Sequence, residues 1–147
     1  MRNITTEITI NASPIKVWNA LMDFESYPEW NPFIRITGKA EVGEKLVNTI
    51  YMDGRKPQVF KPIIQEVREN EKFRWIGHLF VKGIFDGEHY FELHATESGH
   101  VRFVHGENFR GILNGLLMRM IGEQTEKGFR AMNSALKSLV ELQNSSA

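Results

Sequence analysis

The sequence predicts an α+β fold in which a seven-stranded, curved antiparallel sheet wraps around a long C-terminal helix. Three observations support this prediction. The chain opens with an alternating strand pattern, residues 33–110 contain strand patterns separated by short turns, and apolar residues recur at steps of three and four between 111 and 143. With 147 residues, 41% of them hydrophobic, the chain fits one domain spanning 1–147.

The first predicted elements are a strand and two short helices. Residues 2–11 alternate, and the face expected to be buried carries Ile4, Thr6, Ile8 and Ile10. Ser13-Pro14 then predicts a helix start, because a proline at the first helical position loses no hydrogen bond. A second short helix is predicted to begin at Asp23 and to be ended by Pro28 and Asn31-Pro32.

Six further strands and one long helix complete the prediction. The strands are 33–40, 44–52, 57–69, 72–80, 86–96 and 100–110, and the short gaps between them favour antiparallel neighbours. The helix, 111–143, carries an apolar stripe that must pack against one face of the sheet. If the sheet curves, a cavity can form between the sheet and this helix.

Composition narrows the possible functions. The 18 basic and 18 acidic residues balance, and no basic stripe is present, which argues against nucleic acid as a partner. The chain has no cysteine, so disulfides and thiolate chemistry are excluded. No signal peptide and no transmembrane segment are recognised, which predicts a cytoplasmic location. No cofactor and no metal are predicted, and the oligomeric state stays open.

Several segments resemble a known superfamily. They are 10–14, 17–21, 23–24, 27–32, 85–91, 105–109 and 128–133, with sequences such as Tyr27-Pro28-Glu29-Trp30-Asn31-Pro32 and His105-Gly106-Glu107-Asn108-Phe109. Together they resemble the START-like (SRPBCC) helix-grip superfamily, in its polyketide cyclase/dehydrase-like branch. The resemblance implies a hydrophobic pocket between sheet and helix. It implies no catalytic residue, because relatives share the container and not a catalytic set.

The last two strands place three polar residues on the face that is expected to be buried. The apolar phase of 86–96 includes His89, and that of 100–110 includes His105 and Glu107. A three-residue loop, Glu97-Ser98-Gly99, would pair Phe91 with His105 and His89 with Glu107. Directly opposed side chains in that register lie close enough for a hydrogen bond between histidine and carboxylate.

Three interpretations of this polar group remain open. The three side chains can form a buried network that satisfies its own hydrogen bonds. They can bind polar atoms of a mainly apolar ligand. His89 and Glu107 can act as a catalytic acid–base pair in enolisation, aldol cyclisation or dehydration. A metal triad is the least favoured alternative, since this spacing is weak evidence for one.

Other residues are predicted to line the ligand site. Asn48 shares the inward phase of its strand, and Trp75 lies beside Gly77, which would leave room for a flat ligand. The full set of predicted ligand-binding residues is Trp30, Asn48, Trp75, His89, Phe91, His105, Glu107, Phe109, Leu117 and Met132.

The leading functional hypothesis is therefore binding or transport of a small hydrophobic molecule, such as a polyketide, lipid or quinone. One alternative is a cyclase or dehydratase that uses His89 and Glu107. The other is a protein-interaction module of the co-chaperone type, which would need an exposed apolar or charged patch.

Overall fold

The structure is a computed structural model that describes residues 2–79 and 82–145. Phe80, at the end of the predicted strand 72–80, lies outside the described residues. The elements in chain order are β1 (Arg2–Ile10), α1 (Pro14–Met22), a 3-10 turn (Phe24–Ser26), α2 (Tyr27–Trp30), β2 (Ile34–Thr37), β3 (Val47–Ile50), β4 (Gln58–Phe60), β5 (Ile63–Arg68), β6 (Lys72–Leu79), β7 (Phe85–Ala95), β8 (Val101–Arg110) and α3 (Asn114–Ser145).

The prediction of seven strands in one sheet is wrong, because the described residues form eight strands in two sheets. Five strands pair antiparallel in the order β1-β8-β7-β6-β5, and three in the order β2-β3-β4. The predicted strand 57–69 divides at Pro62, which has no N–H to donate to a ladder. β4 consequently pairs with β3 and β5 with β6, so the backbone changes partner at the proline.

The two sheets remain connected beside this proline. The Leu46 N–H donates to the carbonyl oxygen of Pro62 at 2.8 Å, and Lys45 forms an isolated bridge with Ile63. The smaller sheet therefore continues the curve of the larger one, and the concave face of both surrounds α3.

The two short helices follow β1 as predicted. α1 has Ser13 at its N-cap and Pro14 in its first turn, and it buries Val17, Trp18 and Leu21. Pro28 does not end the second helix, because it lies in the first turn of α2, where its missing N–H costs no hydrogen bond.

The long helix has two differently packed halves. The helix packs mainly on β1, α1 and β8, and its C-terminal half buries Phe129, Met132, Leu136 and Val140. Beyond this core, the Lys137 ammonium donates to the carbonyl oxygen of Thr9 at 2.8 Å. The N-terminal half lies opposite the smaller sheet, and the cavity described below forms there.

Close packing at Gly128 gives a test of how α3 is seated. A Cβ at this position would collide with the ring of Phe33. We expect Gly128→Ala to lower the free energy of unfolding by about 1–3 kcal/mol, the usual cost of overpacking. The measurement is urea unfolding followed by circular dichroism.

Gly115 provides the matched control, since it is also in α3 and has no neighbouring atom within 4 Å of the Cβ position. Gly115→Ala is expected to leave stability unchanged or to raise it by up to about 1 kcal/mol. Equal effects of the two substitutions would contradict this seating of the helix.

Candidate functional site

The β7–β8 hairpin places the polar side chains of the site. Its loop contains Gly99 with φ of 82°, a left-handed conformation that glycine adopts without strain. The strands pair Phe91 with His105 and His89 with Glu107, so the predicted register is confirmed.

His89 and Glu107 form a hydrogen-bonded pair on the concave face. Nδ1 of His89 lies 3.0 Å from Oε1 of Glu107, and the exposed fractions of the two side chains are 4% and 17%. The other ring nitrogen of His89, Nε2, lies 2.7 Å from Nε2 of His105. The pair is thus joined to a second histidine that is completely buried.

The hydrogen bonds continue from His105 into the core. Nδ1 of His105 lies 2.9 Å from Oδ1 of Asn133 on α3, and Nδ2 of Asn133 donates to the Thr6 hydroxyl at 2.8 Å. The Thr6 hydroxyl donates in turn to the backbone carbonyl of His105 at 2.8 Å. The roles of Asn133 and Thr6 were not predicted from the sequence. The available signal was an amide inside the apolar stripe of the last helix, next to Met132.

Burial lowers the pKa of His105 well below its usual value. The nearby His89 ring lowers it further, whereas the hydrogen bonds to Asn133 and to the backbone carbonyl of Phe129 act in the opposite direction. His105 is therefore neutral in the folded protein at neutral pH, as expected for an imidazole removed from water.

Aromatic rings enclose both histidines. His105 stacks on Phe129, with ring centroids 4.2 Å apart, and His89 stacks on Trp75 at 4.7 Å. These contacts hold both imidazole rings in place from the sheet side and from the helix side.

A cavity of about 100 Å³ opens between the N-terminal half of α3 and the two sheets. Its lining is mainly apolar, with few polar side chains, as in small-molecule sites generally. The lining residues are Phe33, Asn48, Ile50, Met52, Phe60, Pro62, Trp75, Gly77, His78, Phe85, Gly87, His89, Glu107, Phe109, Ile121 and Thr125.

Half of the predicted ligand-binding residues line this cavity: Asn48, Trp75, His89, Glu107 and Phe109. The others lie elsewhere. Phe91, His105 and Met132 belong to the core behind the cavity. Leu117 packs against the edge of that core, and Trp30 lies in a separate surface groove beside α1. Contact of these five residues with a ligand stays a prediction.

Asn48 contributes a polar atom that has no protein partner. Its side chain is 1% exposed, and Oδ1 makes no hydrogen bond to any described residue. A buried amide oxygen without a partner costs free energy of about 1–3 kcal/mol. Asn48 also lines the cavity and is one of its few polar side chains.

Two glycines leave the part of the larger sheet that lines the cavity without side chains at their positions. Gly77 on β6 pairs with Gly87 on β7, and both line the cavity. A side chain at Gly87 would collide with Oε2 of Glu107, so this glycine makes room for the carboxyl group. A Cβ at Gly77 would meet only Pro62, at 3.5 Å, which is an ordinary contact distance.

Two further properties bear on function. Within residues 2–79 and 82–145, no cluster of three or more His, Cys, Asp or Glu side chains is arranged to hold a metal ion. No helix in the described part of the chain is long and apolar enough to cross a membrane.

Comparison with solved structures identifies the fold. The aromatase/cyclase Zhui from Streptomyces sp. R1128 matches with a TM-score of 0.75 and 13% identity, covering 95% of this chain and 93% of that one. TTHA0849 from Thermus thermophilus matches at 0.74 with 16% identity, covering 97% and 99%. Ara h 8.0201 matches at 0.64 with 19% identity, covering 93% and 98%. At these identities the likeness concerns the fold alone.

The sequence itself establishes the family. Residues 1–141 match the family model described as polyketide cyclase / dehydrase and lipid transport, so the chain belongs to that family. The resemblance to the START-like (SRPBCC) superfamily and to its polyketide cyclase/dehydrase-like branch is thereby confirmed. No curated protein sequence matches the chain.

The neutral state of His105 predicts how stability depends on pH. Because the folded state disfavours the imidazolium, the unfolded chain binds more protons below its ordinary histidine pKa of about 6.5. We therefore expect the free energy of unfolding to fall as pH drops below about 6.5, by at most about 1.4 kcal/mol per pH unit from this residue.

Urea unfolding between pH 7.5 and 5 measures this slope in the wild type, in His105→Leu and in the control His94→Gln, which changes an exposed histidine on β7. The slope should decrease only in His105→Leu. Three identical slopes would rule out His105 as the source.

Proposed function

We propose that the protein binds a small, mainly apolar molecule in the cavity between α3 and the two sheets. The observation that carries this proposal is the cavity itself, whose mainly apolar lining includes the hydrogen-bonded pair of His89 and Glu107 and the amide of Asn48.

The cavity volume limits what fits without rearrangement. A cavity of about 100 Å³ accepts a group about the size of one ring. A larger ligand requires the loop between β3 and β4 to separate from α3. Exposed polar contacts join them there, including Arg55 to Gln124 at 2.6 Å and Lys127 to Asp53 at 2.8 Å. Exposed contacts of this kind contribute little free energy, so such a separation is inexpensive.

Narrowing the cavity tests this proposal. Gly77→Val would add side-chain volume to the lining next to Pro62, at a position where a Cβ fits. We expect the wild type to retain a discrete adduct from a hydrophobic metabolite extract in native mass spectrometry. Gly77→Val should retain roughly tenfold less of it.

Gly115→Ala, in an exposed part of α3, serves as the control and should bind like the wild type. Equal adduct in wild type and Gly77→Val would place the ligand elsewhere, and a bare wild-type protein would contradict the proposal.

A second candidate function is acid–base catalysis on a carbonyl-rich substrate. The observation in its favour is that the 3.0 Å contact between His89 and Glu107 adjoins the cavity, where both residues line the wall. A positioned pair of this kind can move a proton to or from a bound substrate, as cyclisation and dehydration require. The family description includes cyclases and dehydrases as well as lipid transport.

Turnover of a poly-β-ketone thioester, followed by mass spectrometry of the products, tests catalysis. We expect His89→Ala to reduce turnover roughly 10²- to 10⁴-fold while the bound adduct is retained. His94→Ala, on the same strand but exposed, should keep the wild-type rate. Loss of binding together with turnover would favour ligand recognition over catalysis.

A further inference from the structure

The hydrogen-bond chain that ends at the cavity has a direction that can be assigned atom by atom. It joins Thr6, Asn133, His105, His89 and Glu107. A carbonyl oxygen can only accept and an amide N–H can only donate, whereas each imidazole nitrogen does either. The assignment therefore begins at the backbone carbonyl of His105, which can only accept a hydrogen bond.

The Thr6 hydroxyl lies 2.8 Å from the backbone carbonyl oxygen of His105, so the hydroxyl must be the donor. Its single hydrogen is then used, and the 2.8 Å contact with Asn133 must be donated by Nδ2 of the amide. Oδ1 of Asn133 consequently faces Nδ1 of His105 at 2.9 Å. Because Oδ1 only accepts, Nδ1 of His105 carries a hydrogen.

The next roles follow from the neutrality of His105. A neutral ring with hydrogen on Nδ1 has none on Nε2, so Nε2 of His89 must donate across the 2.7 Å contact. Two states of His89 satisfy this condition and also place a hydrogen in the 3.0 Å contact with Glu107, which two acceptors alone cannot form. Either it is an imidazolium beside a carboxylate, or it is neutral and accepts a hydrogen from a protonated Glu107 through the 3.0 Å contact. In both states the pair carries one proton more than a neutral imidazole beside a carboxylate.

The surroundings of the pair are compatible with this proton. His89 stacks on the face of Trp75 at 4.7 Å, and an indole face attracts a cation. The side chain of α3 that contacts His89 is the uncharged ring of Phe129, with ring centroids 5.0 Å apart, and the uncharged Thr125 of α3 lines the same cavity. His78, the other histidine of the lining, is paired with Asp86 at 2.7 Å.

The direction of the chain also fixes the role of the second carboxyl oxygen of Glu107. Oε1 is occupied by His89, whereas Oε2 lies over Gly87 and has no hydrogen bond to a described residue. If the carboxyl group is ionised, Oε2 accepts. If it is protonated, the hydrogen lies on Oε1 towards His89, and Oε2 is the carbonyl-type oxygen, which also accepts.

We propose that His89 and Glu107 share one proton in the free protein and that Oε2 of Glu107 accepts a hydrogen bond from a hydroxyl or N–H group of the ligand. The first part concerns the protein alone. The second part rests on the proposed binding function and specifies it further: the ligand presents a hydrogen-bond donor, and not only a carbonyl, to this end of the cavity.

Nitrogen-15 NMR of the histidine side chains tests the first part without any ligand. We expect hydrogen on Nδ1 and not on Nε2 of His105, and hydrogen on Nε2 of His89. In Glu107→Gln the amide can supply the hydrogen to Nδ1 of His89, so His89 should be neutral with its hydrogen still on Nε2. If His89 carries hydrogen on Nδ1 but not on Nε2 in either protein, the hydrogen-bond chain runs in the opposite direction. That result overturns the proposal.

Single-ring probes test the second part, because they suit a cavity of about 100 Å³. Phenol, toluene and benzaldehyde have similar shapes. Phenol offers a hydrogen-bond donor, toluene has no polar group, and benzaldehyde offers only an acceptor. We expect phenol to bind roughly tenfold more tightly than the other two in calorimetric or NMR titration.

This preference should persist in Glu107→Gln, whose amide oxygen then faces the cavity, and should disappear in Glu107→Leu. Tightest binding of benzaldehyde to the wild type would overturn the acceptor role of Oε2. Failure of all three rings to bind would count against the cavity as a binding site, and the tautomers of His89 and His105 would still decide the direction of the chain.

Discussion

The buried contact between Asn133 and His105 is the interaction on which the arrangement of the site depends. It is a buried polar link between the long helix and β8, and Thr6 completes it from a second strand, β1. A rotation or one-residue shift of α3 would leave these buried groups unpaired, at a cost of about 1–3 kcal/mol for each. The network therefore fixes the register of α3 against the sheet. Through Asn133, the helix also fixes the imidazole ring of His105, which contacts His89.

The division of α3 into two halves explains how one fold can be both stable and hollow. The C-terminal half supplies large buried side chains, including Phe129, which packs on Phe33 and His105, and Leu136. The N-terminal half contacts the loop between β3 and β4 through exposed polar groups and lines the cavity. Stability is thus concentrated away from the site, which can therefore carry an amide oxygen, Oδ1 of Asn48, that has no partner among the described residues.

The same architecture occurs in proteins with identities of only 13–19% to this chain, so the fold tolerates extensive change in sequence. The function of this protein is therefore to be sought in the polar atoms of its cavity, since function depends on the site and not on the fold. That set is small: besides His78 and Thr125, which have partners outside the cavity lining or in α3, it consists of the amide of Asn48 and the pair of His89 and Glu107. The geometry of Gly87 beneath the carboxyl group makes the pair possible.

The sequence by itself determined the order of the elements, the hairpin register that opposes His89 and Glu107, and the inward phase of Asn48, because strand alternation and a short loop are local properties. Tertiary structure alone decided three other features. The break at Pro62 divides the sheet because each half finds a different partner strand. Only five of the ten predicted ligand-binding residues line the cavity, because its lining combines strands and a helix that are far apart in the sequence. The partnership of Thr6 with Asn133 joins residues 127 positions apart, and no local pattern encodes such a contact.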